Sequence, residues 1–300
     1  MNQPLVLRVY LHQPMLQTAR AGKLGFLNRM TRLLRDRGWQ VVLGWSGDSA
    51  RAAAPGQPGY ALYHMEQPTH GRALTFRRAY HYPFWRLERH GERWSWPIAR
   101  ARFDPLSVDA PAARDFALRL RRRVLPGPDP VRGDHVLIPL QGRLRQCRSF
   151  QTMSPVEMVE AVARTGRPAI ATFHPKEPPD AGDRRALDGL VRRYPNLRLG
   201  GDTAKLLRDC AFVAAQNSAV AFDGLILGKP AVLFGMADFH HIALNVADLG
   251  ADAALARAES DRPDFAGYLD WFLRRTSLDM MAHDADDRLL DAMRRGGWPV

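Results

Sequence analysis

Short apolar runs alternate with stretches whose apolar residues recur at helical spacing along most of this 300-residue chain. Leu5-Val6-Leu7-Arg8-Val9-Tyr10 predicts a strand. Phe26, Leu27, Met30, Leu33 and Leu34 then mark one face of a helix from Phe26 to Arg37, which Gly38 ends. Gln40-Val41-Val42-Leu43 follows as a second strand, so the opening segment predicts a parallel βαβ unit, with a third strand at Ala61–Met65. From His70 to Asp104 the pattern breaks down, and aromatics interleave with arginines: Phe76, Arg77, Arg78, Tyr80, His81, Tyr82, Phe84, Trp85, Arg86, then Arg93, Trp94 and Trp96. Such residues could stack bases and contact phosphates in an RNA-binding platform. No repeated RNP-like strand motif accompanies them, which favours an irregular segment whose rings complete a first core.

Pro111 to Val124 predicts a helix with proline in its first turn, where a missing N–H costs nothing. Pro126-Gly127-Pro128-Asp129-Pro130 has linker composition and sets the expected boundary between domains at residues 1–130 and 131–300. Beyond it the alternation sharpens. Strands are expected at Val136–Leu140, Ala169–Phe173, Leu197–Leu199, Phe212–Ala215 and Ala231–Phe234. The helices between them are Ser154 to about Thr165, Asp183–Arg193, Thr203–Arg208 and Ser218–Leu227. Ser154-Pro155-Val156-Glu157 opens the first of these as a capping box. The order predicts a doubly wound α/β domain, whose ligands sit beyond the carboxyl ends of the strands. Further helices around Phe265–Arg275 and Asp279–Arg295 are expected to pack back across the first domain.

The longest apolar stretches, Ala211–Ala215 and Ala231–Gly235, fall far short of the ~20 residues that span a bilayer. Met1 leads into Asn2, Gln3 and Pro4 with no basic region before an apolar run, so no secretory signal is expected. A cytoplasmic protein is expected, with peripheral contact at the inner membrane left open. Two cysteines, Cys147 and Cys210, are too few for a disulfide framework or a Cys-rich zinc site, and no metal centre is expected.

The formal net charge is +12, and only four of the 43 basic residues are lysines. A basic surface attracts nucleic acid, anionic lipid or phosphorylated substrates without choosing among them. Here the charge is diffuse, with no lysine block of the kind that marks a nucleic-acid arm, so nucleic acid is not the expected partner.

His174-Pro175-Lys176-Glu177 directly follows a buried-type strand. A histidine and a lysine there can neutralise a phosphate leaving group as its charge develops; the plain alternative is a loop histidine that caps a helix. Gln216-Asn217-Ser218 also follows a strand and opens a helix, where free backbone N–H groups make an anion site. Asn and Ser equally suit simple capping. Asp223, five residues beyond Ser218, is able to accept hydrogen bonds from a ribose or sugar hydroxyl, or to face solvent. Asp238-Phe239-His240-His241 offers adjacent histidines, which point apart on most backbones and so predict no chelate. No GxxxxGK[ST], GxSxG or strand-associated GxGxxG occurs, which argues against a P-loop NTPase, an α/β-hydrolase and a dinucleotide oxidoreductase.

Three stretches carry a family resemblance: Ile138-Pro139-Leu140-Gln141, Phe173-His174-Pro175-Lys176, and Gln216 to Pro230 with its Ser218, Asp223 and Gly228-Lys229-Pro230. In these the second half resembles the capsule polysaccharide biosynthesis family, GT-B-like proteins related to the Kdo transferases of bacterial capsule and lipopolysaccharide assembly. The resemblance covers about residues 131–250 and implies two Rossmann-like domains facing a cleft. It implies a CMP-activated sugar, with Kdo as one candidate, held mainly by the second domain. Gln141, Lys176 and Asn217 would join the nucleotide and phosphate contacts. His174 would meet the phosphate and assist catalysis, Ser218 would supply a phosphate contact, and Asp223 would sit near the ribose or the sugar. The family's Pro-x-Gln segment is commonly followed by an aspartate, whereas Gln141 here leads into Gly142-Arg143-Leu144-Arg145-Gln146-Cys147-Arg148. The catalytic carboxylate is therefore expected elsewhere, at Glu157 or in the first domain.

The function expected from these features is a glycosyltransferase of capsular or other cell-surface polysaccharide, moving a sugar from a nucleotide donor to a polysaccharide or glycolipid acceptor. The alternative is a non-catalytic glycan- or nucleotide-binding member of the assembly machinery, which would turn over no nucleotide sugar. A GT-B-shaped sugar epimerase would need no acceptor. A single-strand nucleic-acid binder would show steep salt dependence on oligonucleotides.

Overall fold

A computed structural model describes residues 4–300; the start at residues 1–3, read above for a secretory signal, lies outside the described residues. In chain order the strands are β1 (Val6–Leu11), β2 (Gln40–Trp45), β3 (Tyr60–His64), β4 (Ala73–Arg78), β5 (Phe84–Glu88), β6 (Val136–Pro139), β7 (Ala169–Thr172), β8 (Leu197–Leu199), β9 (Phe212–Ala215), β10 (Ala231–Leu233), β11 (Leu244–Asn245) and β12 (Leu278–Asp279). They form two six-stranded sheets, one in each of two compact units. The first unit runs up to Arg100 and takes in Phe272–Val300; the second is Ala101–Trp271.

The sheet of the first unit has the order β12-β5-β4-β3-β1-β2. β2, β1, β3 and β4 are parallel, and β5 and β12 join antiparallel. Val9, Leu11 and Leu62 bury against Leu27, Met30 and Leu34 of the helix Gly25–Arg35, as its apolar spacing predicted. Each such side chain contributes roughly 1.5–3 kcal/mol on burial. The aromatic-arginine segment contributes to the core, as favoured, and two strands run within its otherwise irregular backbone. Phe76 on β4 and Trp85 on β5 both stack on Phe26, at centroid distances of 5.2 and 4.9 Å. Antiparallel pairing of Arg78 with Trp85 and of Thr75 with Glu88 joins the two strands.

The second unit has all strands parallel in the order β8-β7-β6-β9-β10-β11. Val136, Ile138, Ala171, Phe212 and Val232 fill its centre against Met158 and Val162 of the helix Pro155–Ala163. That helix starts where the capping box predicted, with Ser154 as N-cap and Glu157 closing the box.

The Pro126–Pro130 stretch lies inside the second unit, not at its edge. Arg208 donates to the carbonyls of Leu125, Pro126 and Pro128 at 2.6–2.8 Å, pinning the stretch to the helix Thr203–Asp209. The preceding helix Ala110–Val124 packs on the helix Phe265–Leu269 of the same unit. At the other end, β12 and the helix Ala285–Arg295 belong to the first unit, where Leu289 and Met293 join its core. Among the described residues no helix is long and apolar enough to cross a membrane.

Candidate functional site

Strand order in the second sheet reverses between β6 and β9, so chain connections leave these neighbouring strands in opposite directions. Ligands of such sheets sit in the crevice that this divergence opens at the carboxyl ends. Gln141 lies two residues past β6, His174 two past β7 and Asn217 two past β9. The three sequence motifs thus share one edge of one sheet, at and beside its switch point.

The loop after β6 is tied at both ends. Glu177 Oε2 accepts from the Gly142 backbone N–H at 2.8 Å, joining the loop after β6 to the one after β7. Arg145 donates through Nε to Asp183 (3.0 Å) and through Nη2 to Asp180 (3.1 Å), at the start of the helix Ala181–Arg193. On the far side, Gln151 Oε1 accepts from the Arg148 backbone N–H at 2.7 Å, and Gln151 bridges Gly235. Met236 N–H donates to the Phe150 carbonyl at 2.7 Å. Gly235 permits this closeness, since a Cβ there would meet Phe150 at 3.1 Å and the Gln216 carbonyl at 3.3 Å.

His174 Nδ1 accepts from the Lys176 backbone N–H at 3.2 Å. That bond leaves the proton of the neutral ring on Nε2, so the ring presents a donor. Ser218 is the N-cap of the helix Ala219–Ile226, its Oγ accepting from Val220 N–H at 3.3 Å. Asn217 Nδ2 donates to the Met236 carbonyl at 3.1 Å and joins the loops after β9 and β10. Asp223 is partly buried further along the same helix, not fully solvent-facing. Lys176 is exposed.

Glu157 is engaged at its own helix start, beside Met153, whose carbonyl accepts from Gln216 Nε2 at 3.1 Å. Its Oε2 accepts from both the hydroxyl and the backbone N–H of Ser154, each at 2.7 Å. Those bonds hold the carboxyl below the usual carboxylate range, the Ser154 hydroxyl contributing most. The geometry gives Glu157 the work of a helix cap.

Lys229, in the Gly-Lys-Pro end of the third motif, is buried and donates from Nζ to the carbonyls of Cys210 (2.7 Å) and Val131. Gly228 takes the left-handed conformation (φ +70) that closes the preceding helix. The motif's lysine is thus a tie between backbone segments, not a phosphate ligand. Lys229→Met is expected to lower stability by about 2 kcal/mol, because buried carbonyls lose their donor. Denaturant titration reads this directly, and an unchanged midpoint would mean that water replaces the ammonium.

Two carboxylates outside the named candidates also follow strand ends. Glu177 stood in a quoted motif, but its bond to Gly142 spans 35 residues and has no local signal. In the first unit, Glu66 follows β3 and His12 follows β1, the strands between which that sheet's order turns. His12 Nε2 lies 3.4 Å from Glu66 Oε1, Arg51 lies 3.3 Å from Glu66 Oε2, and the Ser46 hydroxyl donates to the same oxygen. Met65, between strand and carboxylate, has φ +60. Backbone strain of this kind clusters at functional sites.

The structure is similar to that of the KpsC β-Kdo 2,7 transferase of Thermosulfurimonas dismutans, with a TM-score of 0.54 at 12% identity over 97% of this chain and 99% of the other. S. aureus MnaA, in a co-structure with UDP, aligns over 96% of each chain at 10% identity with a TM-score of 0.39. No protein-family model and no curated protein sequence matches the chain. The first likeness shows the fold: mixed α/β, GT-B-like, with a Rossmann-like sheet in each of two units.

Proposed function

We propose that this chain is a glycosyltransferase of cell-surface polysaccharide assembly that takes its sugar from a nucleotide donor, a cytidine nucleotide in the first instance. One observation carries the reading: His174, Gln141 and the Asn217-Ser218 helix start share the carboxyl edge around the β6/β9 switch point. The likeness in fold to a Kdo transferase supports it. On this reading the helix start at Ser218 and Lys176 receive the donor's phosphate. His174 Nε2–H donates to the leaving phosphate as the glycosidic bond breaks. Gln141 and Asp223 serve the nucleoside or the sugar. Glu177 joins Glu157 as a carboxylate to test for sugar chemistry. The acceptor is a polysaccharide or glycolipid, met at the inner face of the membrane.

A thermal-shift screen of CMP, UDP, GDP and ADP tests the donor. At a hundredfold excess over Kd, a ligand bound only by the folded state adds about 2.7 kcal/mol of stability. CMP is expected to raise the melting temperature most, and no response to any of the four would remove the reading. The engagement of Glu157 in a helix cap keeps one competitor in view, a binding protein without turnover. Release of CMP from a CMP-sugar with acceptor present separates the two.

A further inference from the structure

Buried polar side-chain atoms without a hydrogen-bond partner among the described residues gather at the edge just described. Five such atoms are Gln141 Oε1, Arg148 Nε and Nη2, Gln151 Nε2 and Gln216 Oε1; others are scattered through both units. Gln216 and Gln151 are 1% and 9% exposed, so water does not readily make up the shortfall. Leaving such groups unmatched costs about 1–3 kcal/mol each, and more for a charged one. A fold keeps that cost where a ligand removes it.

Arg148 is the member of this set with a definite stereochemical preference. Nε and Nη2 form one edge of the guanidinium, two parallel donors spaced to meet two oxygens of a carboxylate or phosphate. Its Cζ lies 4.8 Å from the centroid of the Phe150 ring, a contact that does not use its donors. Gln151 holds its backbone N–H. The neighbouring arginine of this loop, Arg145, is by contrast engaged by Asp180 and Asp183.

We infer that the Nε/Nη2 edge of Arg148 is a bidentate seat for an oxyanion of the substrate. The anion is either the phosphoryl group of the nucleotide or a carboxylate on the transferred sugar. Burial pushes the Arg148 guanidinium below its ordinary pKa, with the Glu177 charge working against this. An arriving anion restores what burial removes. The inference deepens the donor-site reading and rests on it only for the anion's source.

The test compares wild type with R148K, which keeps the charge but loses the fork, and with R148M. Probes are inorganic phosphate, CMP, cytidine and pyruvate, read by thermal shift and titration calorimetry. CMP is expected to bind wild type better than cytidine does and to lose roughly 10–100-fold in affinity in both variants. A phosphate response lost in the variants assigns the phosphoryl source; a pyruvate response lost in them assigns the carboxylate. Ligand-free R148M is expected to melt at or above wild type, because the unmatched donors are gone. The seat is overturned if both variants bind every probe as wild type does, or if wild type responds to no anion. A clear fall in the melting temperature of ligand-free R148M would likewise overturn it, marking a structural guanidinium. If CMP fails but phosphate or pyruvate still acts through Arg148, the donor reading falls and the seat stands. If CMP binds all three proteins equally and neither a phosphate nor a pyruvate response is lost in the variants, the seat falls and the donor reading stands.

Discussion

His174→Ala is expected to lower kcat by about 10²–10³, equivalent to about 2.7–4 kcal/mol, with little change in donor KM. The imidazole is held by the Lys176 N–H on Nδ1, so its Nε2–H is oriented before any substrate arrives. Charge on a leaving phosphate grows toward the transition state, and a donor aimed at it is worth more there than in the ground state. Only that difference lowers the chemical barrier. A large rise in KM with kcat intact would instead make His174 a docking residue that holds substrate and transition state equally. Lys176 is two residues away and its charge can partly replace the donor. His174→Ala, Lys176→Ala and the double variant therefore belong in one cycle, and additive effects would separate the two roles. His174 is not among the fully buried residues, so the measurement is expected to be made on folded protein.

Five of the six strands of the second unit were legible, mostly as short apolar runs; β11, only Leu244–Asn245, carries no such signal. Ser154, Pro155 and Glu157 announced a helix start that the structure contains. The same residues carry no separate signal for chemistry: an acid three residues past an N-cap serine is equally a cap, and the structure shows Glu157 hydrogen-bonded to Ser154. Linker composition at Pro126–Pro130 marked irregular backbone correctly, yet composition carries no information about what irregular backbone packs on. Arg208, some 80 residues on, supplies that. Pairing of Leu278–Asp279 with Phe84–Trp85 was out of reach for the same reason, since two residues show no periodicity. Arg148 was hidden among other arginines in a basic loop. Arg145 and Arg148 read alike in sequence, and only the presence of Asp180 and Asp183 beside one of them tells an ion pair from an unmatched fork.

Acidification from pH 6.5 to 4 is expected to remove up to about 3 kcal/mol of stability through one residue, His64. It ends β3 in the first unit, partly buried, with its ring 5.0 Å from that of Phe76. Burial is the main cause that pushes its pKa down from 6.5 to about 4; the charges of Arg77, His12 and Arg78 push the same way, and Glu66 opposes them. The sign follows from proton counting. Above pH 6.5 the residue is neutral in both states and contributes no pH dependence. Between 6.5 and 4 the unfolded chain binds a proton that the folded chain refuses, so stability falls as pH falls. Below 4 both states are protonated and the loss from this residue is complete. Urea titrations at pH 7 and pH 4.5 measure the change, and His64→Gln, which cannot titrate, isolates it from the carboxylates that titrate nearby. The variant is expected to lose less stability than wild type over that acid step. Equal losses in the two proteins would mean that the ring reaches water and titrates near its ordinary value. The β3 end, with Glu66 and its His12 and Arg51 partners, would then be more open than its packing against Phe76 indicates.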